Sequence, residues 1–286
     1  MKPSTQYQGV VVPMVSPFTA NGRIDEPSVK RLVDYLAGAG VAGIFPLGTT
    51  GESTSIHIDD KRVLIEMTVK HAAKRSMVYA GISSNCLRES VEMSQFAKQA
   101  GVDAVVAHPP SYFPLNDREI ETYMFKLADA SALPLVLYNI PQTTKSNIPI
   151  DTVLKLSKHA NVVALKDSSP DRERIESVIK SCGGRGGFPV LLGNSSLFTP
   201  GLKAGGVGII PSGAHIVGPD YQQLFEAAMK DEWTLVEQLQ VKTDAECAAY
   251  LKGNSIAQGL AALKAILNQR GVCTRYVLPP LIEHET

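Results

Sequence analysis

The stretches LVLYNI at residues 135–140 and VVALKD at residues 162–167 decide how this chain is expected to fold. Each is short and carries apolar residues on both faces of an extended backbone until its polar end. This is the pattern of a strand buried in a parallel sheet. Similar apolar runs recur along most of the chain. The eight candidate strands cover residues 10–15, 43–47, 77–82, 104–107, 135–140, 162–165, 190–192 and 207–210.

Helix-like segments lie between these runs. Val29, Leu32, Val33 and Leu36, for example, form one apolar stripe at helical spacing, as a helix packed on a sheet requires. Strand and helix alternate eight times, which predicts an α/β protein with parallel strands closed into a (β/α)8, or TIM, barrel. An open, doubly wound sheet is the alternative, but the sequence lacks its usual glycine-rich GxGxxG fingerprint.

The strand-like runs stop after Pro219. Two longer helical stretches follow, in one of which Ile256, Leu260, Leu263 and Leu267 form a single stripe. We therefore expect residues 1–218 to form the barrel with the active site. Residues 219–286 are expected to form a C-terminal helical extension, packed on the barrel or on a neighbouring subunit.

Composition excludes several kinds of function. The 286 residues carry a formal net charge of zero, whereas nucleic-acid and acidic-membrane partners call for a basic excess. No apolar run is long enough to span a bilayer. The four cysteines and six histidines are scattered without metal-ligand spacing, which argues against a metal site and against a disulfide framework. We expect a cytoplasmic protein without a cofactor.

Lys166 is the most informative polar residue. It directly follows the apolar residues 162–165, at the carboxyl end of a predicted strand, where the active sites of TIM barrels lie. Burial disfavours a charged ammonium group, and an uncharged amine can attack a ketone to form a Schiff base. The alternative is a structural lysine that pairs with Asp167 or extends outward.

Two other strand ends carry candidate binding groups. In the turn GTTGE at residues 48–52, Gly48 lets the backbone approach a ligand, and the hydroxyls of Thr49 and Thr50 suit a carboxylate. Alternatively, one of the threonines caps the next helix. Tyr138, at the end of the fifth strand, and Tyr112, in a proline-rich loop, could relay protons beside an amine, although either could serve packing alone.

Three motifs together resemble the dihydrodipicolinate synthase and N-acetylneuraminate lyase family: GTTGE at residues 48–52, YNIP at 138–141 and LKD at 165–167. They occur in the family's order and with similar spacing, and GGVGII at 205–210 is similar to the family's eighth strand. The resemblance covers nearly the whole chain. It implies a class I aldolase that needs neither metal nor organic cofactor and that is built as a homotetramer, a dimer of dimers.

The resemblance also implies roles for individual residues. Lys166 matches the Schiff-base lysine, and Tyr138 matches the tyrosine that shuttles protons and contacts the substrate carboxylate. Thr49 and Thr50 match the carboxylate binders, next to Gly48. Thr49, Tyr138 and Tyr112 match the family's proton relay, in which Tyr112 reaches in from an adjacent subunit. Ile210 matches the residue of the eighth strand whose carbonyl faces the site.

One departure concerns the second substrate. In the synthase an arginine follows the Tyr-Asn-x-Pro motif and binds a carboxylate, whereas the corresponding stretch here is QTTK at residues 142–145, with Thr143 at the arginine position. A threonine cannot supply a bidentate cationic fork. Lys145 is the nearest substitute. We therefore expect pyruvate, or another small 2-oxo acid, to be joined to an aldehyde other than the synthase's own, or released from a longer 2-oxo acid.

Three alternatives remain from the sequence. The chain could be a true dihydrodipicolinate synthase, or a dehydratase of 2-keto-3-deoxy sugar acids that uses the same imine. It could also be a barrel that binds an oxo acid without turnover, which the presence of Lys166, Tyr138 and Thr49 argues against.

Overall fold

Eight parallel strands close into a barrel, in chain order, in the computed structural model of the protein. The structure describes residues 6–285; residues 1–5, at the start of the predicted barrel domain, and residue 286, at the end of the predicted extension, lie outside it. The strands are β1 (Gly9–Val12), β2 (Gly43–Ile44), β3 (Met77–Gly81), β4 (Ala104–Ala107), β5 (Leu135–Asn139), β6 (Val162–Asp167), β7 (Val190–Leu192) and β8 (Gly208–Ile209). All eight predicted strands and their closure into a TIM barrel are confirmed, so the open sheet is excluded.

Helices separate the strands, and three more follow the last one. The first eight are α1 (Glu26–Gly38), α2 (Ile58–Ala72), α3 (Leu87–Ala100), α4 (Asp117–Ala130), α5 (Pro141–Thr144), α6 (Ile150–Leu156), α7 (Arg172–Ser181) and α8 (Phe198–Lys203). The C-terminal three are α9 (Ala214–Met229), α10 (Trp233–Leu251) and α11 (Ile256–Gln269). Short 3-10 helices cover Gly184–Gly186 and Ser195–Leu197.

Local sequence explains where the helices begin and which face they bury. In α1 the predicted stripe of Val29, Leu32, Val33 and Leu36 is fully buried. At the start of α4 the side chain of Asn116 accepts a hydrogen bond from the backbone of Glu119, whose carboxylate accepts one from the backbone of Asn116. This reciprocal pair satisfies two amide groups that the first helical turn leaves open.

The strand register places the polar strand ends side by side. In the β5–β6 pair Tyr138 lies opposite Lys166, and Asn139 lies opposite Asp167. β6 is longer than its apolar run predicted, because Lys166 and Asp167 continue the ladder to Leu191 and Leu192 of β7. Lys166 is therefore part of a central strand rather than of the loop after it.

The residues group into two compact units by their internal contacts. The first comprises residues 6–10 and Gly81–Pro211, and it holds β4 to β8. The second comprises Val11–Ala80 and the chain from Ser212 onward, and it holds β2, α1, α2 and the three C-terminal helices. The expected division at residue 218 falls inside α9, next to Val217, where the backbone is not helical. That division stays a prediction.

His215, on the first turn of α9, is fully buried in the second unit. Its Nε2 accepts a hydrogen bond from the Val15 amide at 3.2 Å, and its Nδ1 lies 2.7 Å from the Ser212 carbonyl, to which it can only donate. Burial lowers the pKa of His215 to about 4, and the bond to Ser212 opposes this shift only in part. The native protein therefore holds this imidazole neutral.

This burial predicts an acid-dependent loss of stability. Between pH 6.5 and about 4 the unfolded chain protonates this histidine and the folded chain does not, so the free energy of unfolding falls as the pH falls. The contribution reaches about 3 kcal/mol at pH 4. Urea unfolding of the protein and of His215→Asn across this range measures it as a difference in slope. Parallel pH profiles of the two proteins would contradict it.

Candidate active site

Lys166 and Tyr138 meet at the carboxyl ends of β6 and β5. Lys166 is 3% exposed and Tyr138 is buried as well. The Lys166 Nζ lies 3.9 Å from the centroid of the Tyr138 ring. The structure thus brings together the two residues expected to carry a Schiff-base mechanism, an amine out of bulk water and the phenol ring beside it.

Asp167 is held on its own side of β6. Successive strand residues point to opposite faces, so Asp167 points away from Lys166. Its fully buried carboxylate accepts hydrogen bonds from Asn139 Nδ2 at 2.9 Å, Ser169 N at 2.8 Å and Arg174 Nε at 3.3 Å. Burial raises the pKa of Asp167, and Arg174 together with the hydrogen bonds opposes this rise. The contacts join the ends of β5 and β6 and fix the strand on which Lys166 stands.

Gly193, directly after β7, makes room for the Lys166 side chain. A Cβ atom at this position would lie 3.0 Å from Lys166 Cε and 2.0 Å from Ser168 Oγ. The contact with Ser168 Oγ is impossible without movement, and the contact with Lys166 Cε is tight, so Gly193→Ala must displace Ser168 and press on the Lys166 side chain.

The hypothesis of an imine at Lys166 predicts that Gly193→Ala slows its formation, by up to about 10²-fold, which is the cost of a displacement near 1 Å at a reacting group. The measurement is the rate of borohydride-trapped adduct with pyruvate. Gly186→Ala is the matched control, because a Cβ there meets open space. Adding Ser168→Ala to Gly193→Ala removes the shorter contact and should restore part of the rate. A Gly193→Ala enzyme as fast as the unmodified one would contradict this account.

The GTTGE turn belongs to the second unit and follows the carboxyl end of β2. Gly48 is buried, and Thr49 and Thr50 are half-buried. Within the turn, Gly48 O accepts a hydrogen bond from Gly51 N at 3.0 Å, and Thr49 O accepts one from Glu52 N at 3.1 Å. A Cβ on Gly51 would come within 2.9 Å of the Met14 carbonyl, so this position requires glycine.

The threonines do not cap the next helix. The cap of α2 is His57, whose ring accepts a hydrogen bond from Asp59 N, so the capping alternative for Thr49 and Thr50 is wrong. That result excludes one structural role, the capping of α2, for the two threonines. Carboxylate binding by them stays a prediction.

A buried ion pair supports the turn from the C-terminal helices. Lys264 Nζ, on α11, donates to Glu52 Oε1 and to the Ser16 carbonyl, both at 2.8 Å. The side chains of Lys264 and Glu52 are fully buried, and Glu52 Oε2 accepts from Leu278 N at 2.8 Å. Burial lowers the pKa of Lys264, and Glu52 opposes that shift. Because Glu52 is the last residue of GTTGE, this pair ties the end of the turn to α11.

The region expected to bind the second substrate is neutral at its predicted centre. Thr143, on α5, is exposed, and its hydroxyl donates to the Ile140 carbonyl at 3.3 Å. Lys145 Nζ donates to the Gln142 carbonyl at 2.8 Å, so the lysine folds back on its own turn. Gln142 Nε2 in turn donates to the Ser168 carbonyl at 2.8 Å. These contacts give no support to Lys145 as a substitute for the arginine.

Ile210 and Tyr112 occupy opposite environments. Ile210 is buried directly after β8, and its amide donates to Leu192 O at 2.7 Å. Tyr112 is 81% exposed, and its ring packs edge-to-face on Phe113, itself 71% exposed, at 5.3 Å between centroids. The relay role expected of Tyr112 and the site-facing carbonyl expected of Ile210 stay predictions.

His108 is a candidate that the sequence reasoning missed. It directly follows β4, and its ring lies edge-on to Tyr138 at 6.0 Å between centroids. Burial lowers the pKa of His108, and the nearby Lys166 amine adds to this effect. The available signal was position, because His108 is the first residue after the fourth apolar run, as Lys166 is after the sixth.

Residues 6–285 contain no helix long and apolar enough to cross a bilayer. They also contain no cluster of three or more histidine, cysteine, aspartate or glutamate side chains arranged to hold a metal ion.

Comparison with known proteins agrees with this geometry. The model of the dihydrodipicolinate synthetase family matches residues 6–286. The 4-hydroxy-tetrahydrodipicolinate synthase 2 of Halalkalibacterium halodurans is 33% identical over 273 residues, which cover 96% of this chain and 91% of the relative. The dihydrodipicolinate synthase structure from Bacteroides thetaiotaomicron has a TM-score of 0.92 at 30% identity, covering 100% of this chain and 95% of that one. The corresponding structure from Aquifex aeolicus has a TM-score of 0.89 at 28% identity, covering 98% and 93%. The chain belongs to the dihydrodipicolinate synthetase family, and it is accordingly a lyase of the pyruvate-dependent, class I aldolase type.

Proposed function

We propose that Lys166 forms a Schiff base with pyruvate, or with another small 2-oxo acid, and that the enzyme joins the resulting enamine to an aldehyde or releases it from a longer 2-oxo acid. The observation that carries this proposal is the Lys166 amine, 3% exposed and 3.9 Å from the Tyr138 ring centroid. An amine so placed is out of bulk water and has a phenol beside it for proton transfer.

In the proposed mechanism Thr49 and Thr50 bind the substrate carboxylate, with the backbone at Gly48 close to the ligand. The Lys166 amine attacks the ketone, and loss of water gives an iminium ion. The positive nitrogen draws electrons, so a proton leaves the methyl group and an enamine forms. Tyr138 transfers the protons. The Ile210 carbonyl completes the wall of the site.

For the second substrate we propose an aldehyde that does not rely on a cationic anchor. Thr143 stands where the family's arginine is expected, and Lys145 donates to Gln142 O. Losing a charged hydrogen bond to a carboxylate costs about 1.5 to 3 kcal/mol. A small aldehyde with hydroxyl groups loses nothing by this replacement.

A true synthase is the second candidate. The observation in its favour is that curated relatives at 32–33% identity carry the name 4-hydroxy-tetrahydrodipicolinate synthase. At such identity the imine chemistry is more readily retained than the contacts with one particular substrate, and Thr143 already departs from the arginine expected in the family.

We also propose a homotetramer, a dimer of dimers, in the cytoplasm. Support for an assembly comes from Tyr112 and Phe113, an exposed aromatic pair of the kind found at subunit interfaces. In this proposal Tyr112 completes the relay of Thr49 and Tyr138 in a neighbouring subunit. Light scattering on the protein and on Tyr112→Phe tests the assembly, and the turnover of the same two proteins tests the relay. Tyr112→Phe should keep the assembly and lose turnover.

Borohydride reduction in the presence of pyruvate tests the imine. The expected result is one pyruvate adduct per chain, placed on Lys166 by peptide mass analysis. An adduct on a different lysine, or none, would reject the proposed chemistry.

A panel of aldehydes with pyruvate as donor separates the two candidates for the second substrate. We expect small hydroxylated aldehydes to react faster than an aldehyde of similar size that carries a carboxylate. The reverse order would favour the synthase. Product analysis also identifies a dehydratase, since it would retain all carbons of a 2-keto-3-deoxy sugar acid instead of releasing pyruvate.

A further inference from the structure

His108, directly after β4, lies next to Tyr138 at the end of β5, which in turn lies next to Lys166 at the end of β6. Ala107 lies opposite Leu137 in the β4–β5 register, so the next pair along the same ladder is His108 with Tyr138. Tyr138 in turn lies opposite Lys166. Register partners on parallel strands point to the same face. The ring separation of 6.0 Å between His108 and Tyr138 agrees with this placement.

Hydrogen bonds fix the His108 backbone and determine which ring nitrogen is free for chemistry. The backbone amide donates to Ser83 Oγ at 2.9 Å. Nδ1 lies 2.7 Å from the Pro109 carbonyl, and since a carbonyl only accepts, Nδ1 carries the proton. In the neutral ring Nε2 is therefore a hydrogen-bond acceptor and a base. The side chain is half-buried, so it is neither sealed in the core nor fully solvated.

Aldol chemistry needs such a group beyond the imine. When an enamine adds to an aldehyde, the aldehyde oxygen becomes an alkoxide and must take up a proton. In the reverse direction a hydroxyl must lose its proton as the carbon–carbon bond breaks. General acid–base groups of this kind contribute about 10²- to 10⁴-fold in rate.

We propose that His108 is a further catalytic residue, whose Nε2 exchanges a proton with the oxygen of the aldehyde partner. In cleavage Nε2 takes the hydroxyl proton, the carbon–carbon electron pair moves into the iminium to give the enamine, and the aldehyde leaves. In condensation the imidazolium returns that proton to the new alkoxide, so protons and electrons balance in both directions. This inference rests on the proposed function, because it requires the enamine on Lys166.

The test separates the half-reactions in one variant, His108→Gln, which keeps a polar side chain but cannot shuttle a proton. Borohydride trapping with pyruvate reports the imine, and exchange of the pyruvate methyl protons in D2O, followed by NMR, reports the enamine. Condensation is measured with the fastest of glycolaldehyde, D-glyceraldehyde and glyoxylate. His159→Gln is the matched control, a half-buried histidine of the same unit that pairs with Asp129.

We expect His108→Gln to keep trapping and exchange within about twofold and to lose condensation about 10²-fold or more. His108→Asn provides a second neutral amide if the glutamine variant does not fold. An equal fall in all three measurements would overturn the assignment, since His108 would then act on the structure or on the imine. Unchanged condensation, or an unmodified enzyme that exchanges protons but condenses no probe, would overturn it too. Absence of an imine in the unmodified enzyme would instead reject the proposed function itself.

Discussion

Lys166→Arg is expected to abolish the trapped pyruvate adduct and to lower kcat/KM at least about 10³-fold, as loss of a covalent nucleophile does in other enzymes. Arginine keeps a long basic side chain at this position, but its guanidinium does not lose its proton and cannot form an imine. Beside the Tyr138 ring, arginine also retains a cation–π contact. The variant therefore isolates the loss of the amine from the loss of packing.

The control for this variant is Lys155→Arg, at an exposed lysine that pairs with Glu121 on the surface of the same unit. It makes the same chemical change away from β6, so kcat/KM should not move. Near-UV circular dichroism of both variants checks that the barrel is intact. If Lys166→Arg retains methyl-proton exchange of pyruvate while folded, another amine performs the chemistry and Lys166 is structural.

The barrel was predictable because its strands are buried on both faces and their apolar runs stand out from the amphipathic helices. The ends of the strands were less predictable. β6 was expected to stop at Leu165, because an apolar pattern cannot include Lys166 and Asp167. The ladder continues through both, since Lys166 lies beside Tyr138 and Asp167 is satisfied by Asn139 and Arg174. Polar residues extend a buried strand where tertiary partners compensate for them, and a linear sequence does not display those partners.

The candidate site was also predictable only in part. Lys166 and Tyr138 could be named from their positions at strand ends, and the structure places them together. His108 could not be assigned in the same way, because Pro109 and Pro110 mark the start of a loop directly after it, whereas the strand register decides which face a residue joins. Register depends on pairing between strands, so it appears only once the sheet is formed.

The burial of Lys264 could not be predicted from the local sequence pattern. It occurs in a helix whose expected stripe was Ile256, Leu260, Leu263 and Leu267, yet Ile256 is 49% exposed and Lys264 is fully buried. Its partner Glu52 is 212 positions away in the chain. Charge alone predicts a solvated lysine here, and its burial is explained by the two acceptors of the ammonium group, Ser16 O and Glu52 Oε1.

Lys264→Met is expected to destabilise the protein by about 3 to 5 kcal/mol, because it leaves the Glu52 carboxylate buried without its counter-charge. Methionine fills most of the volume of the lysine stem, so the cost is mainly electrostatic. The double variant Lys264→Met with Glu52→Gln should recover most of the loss, since a neutral amide still accepts from Leu278 N. Urea unfolding measures both changes.

Lys242→Met serves as the control, because its pair with Asp220 on α9 has the same 2.8 Å separation but lies at the surface. It should change stability far less than Lys264→Met, since water screens an exposed pair. If the two single variants lower the free energy of unfolding equally, the buried Lys264–Glu52 pair does not stabilise the protein more than a surface pair does. Removing a binding contact that is made equally in the ground and transition states affects KM alone. If folded Lys264→Met raises the KM for pyruvate with little change in kcat, the ion pair therefore also positions the GTTGE turn to bind the carboxylate.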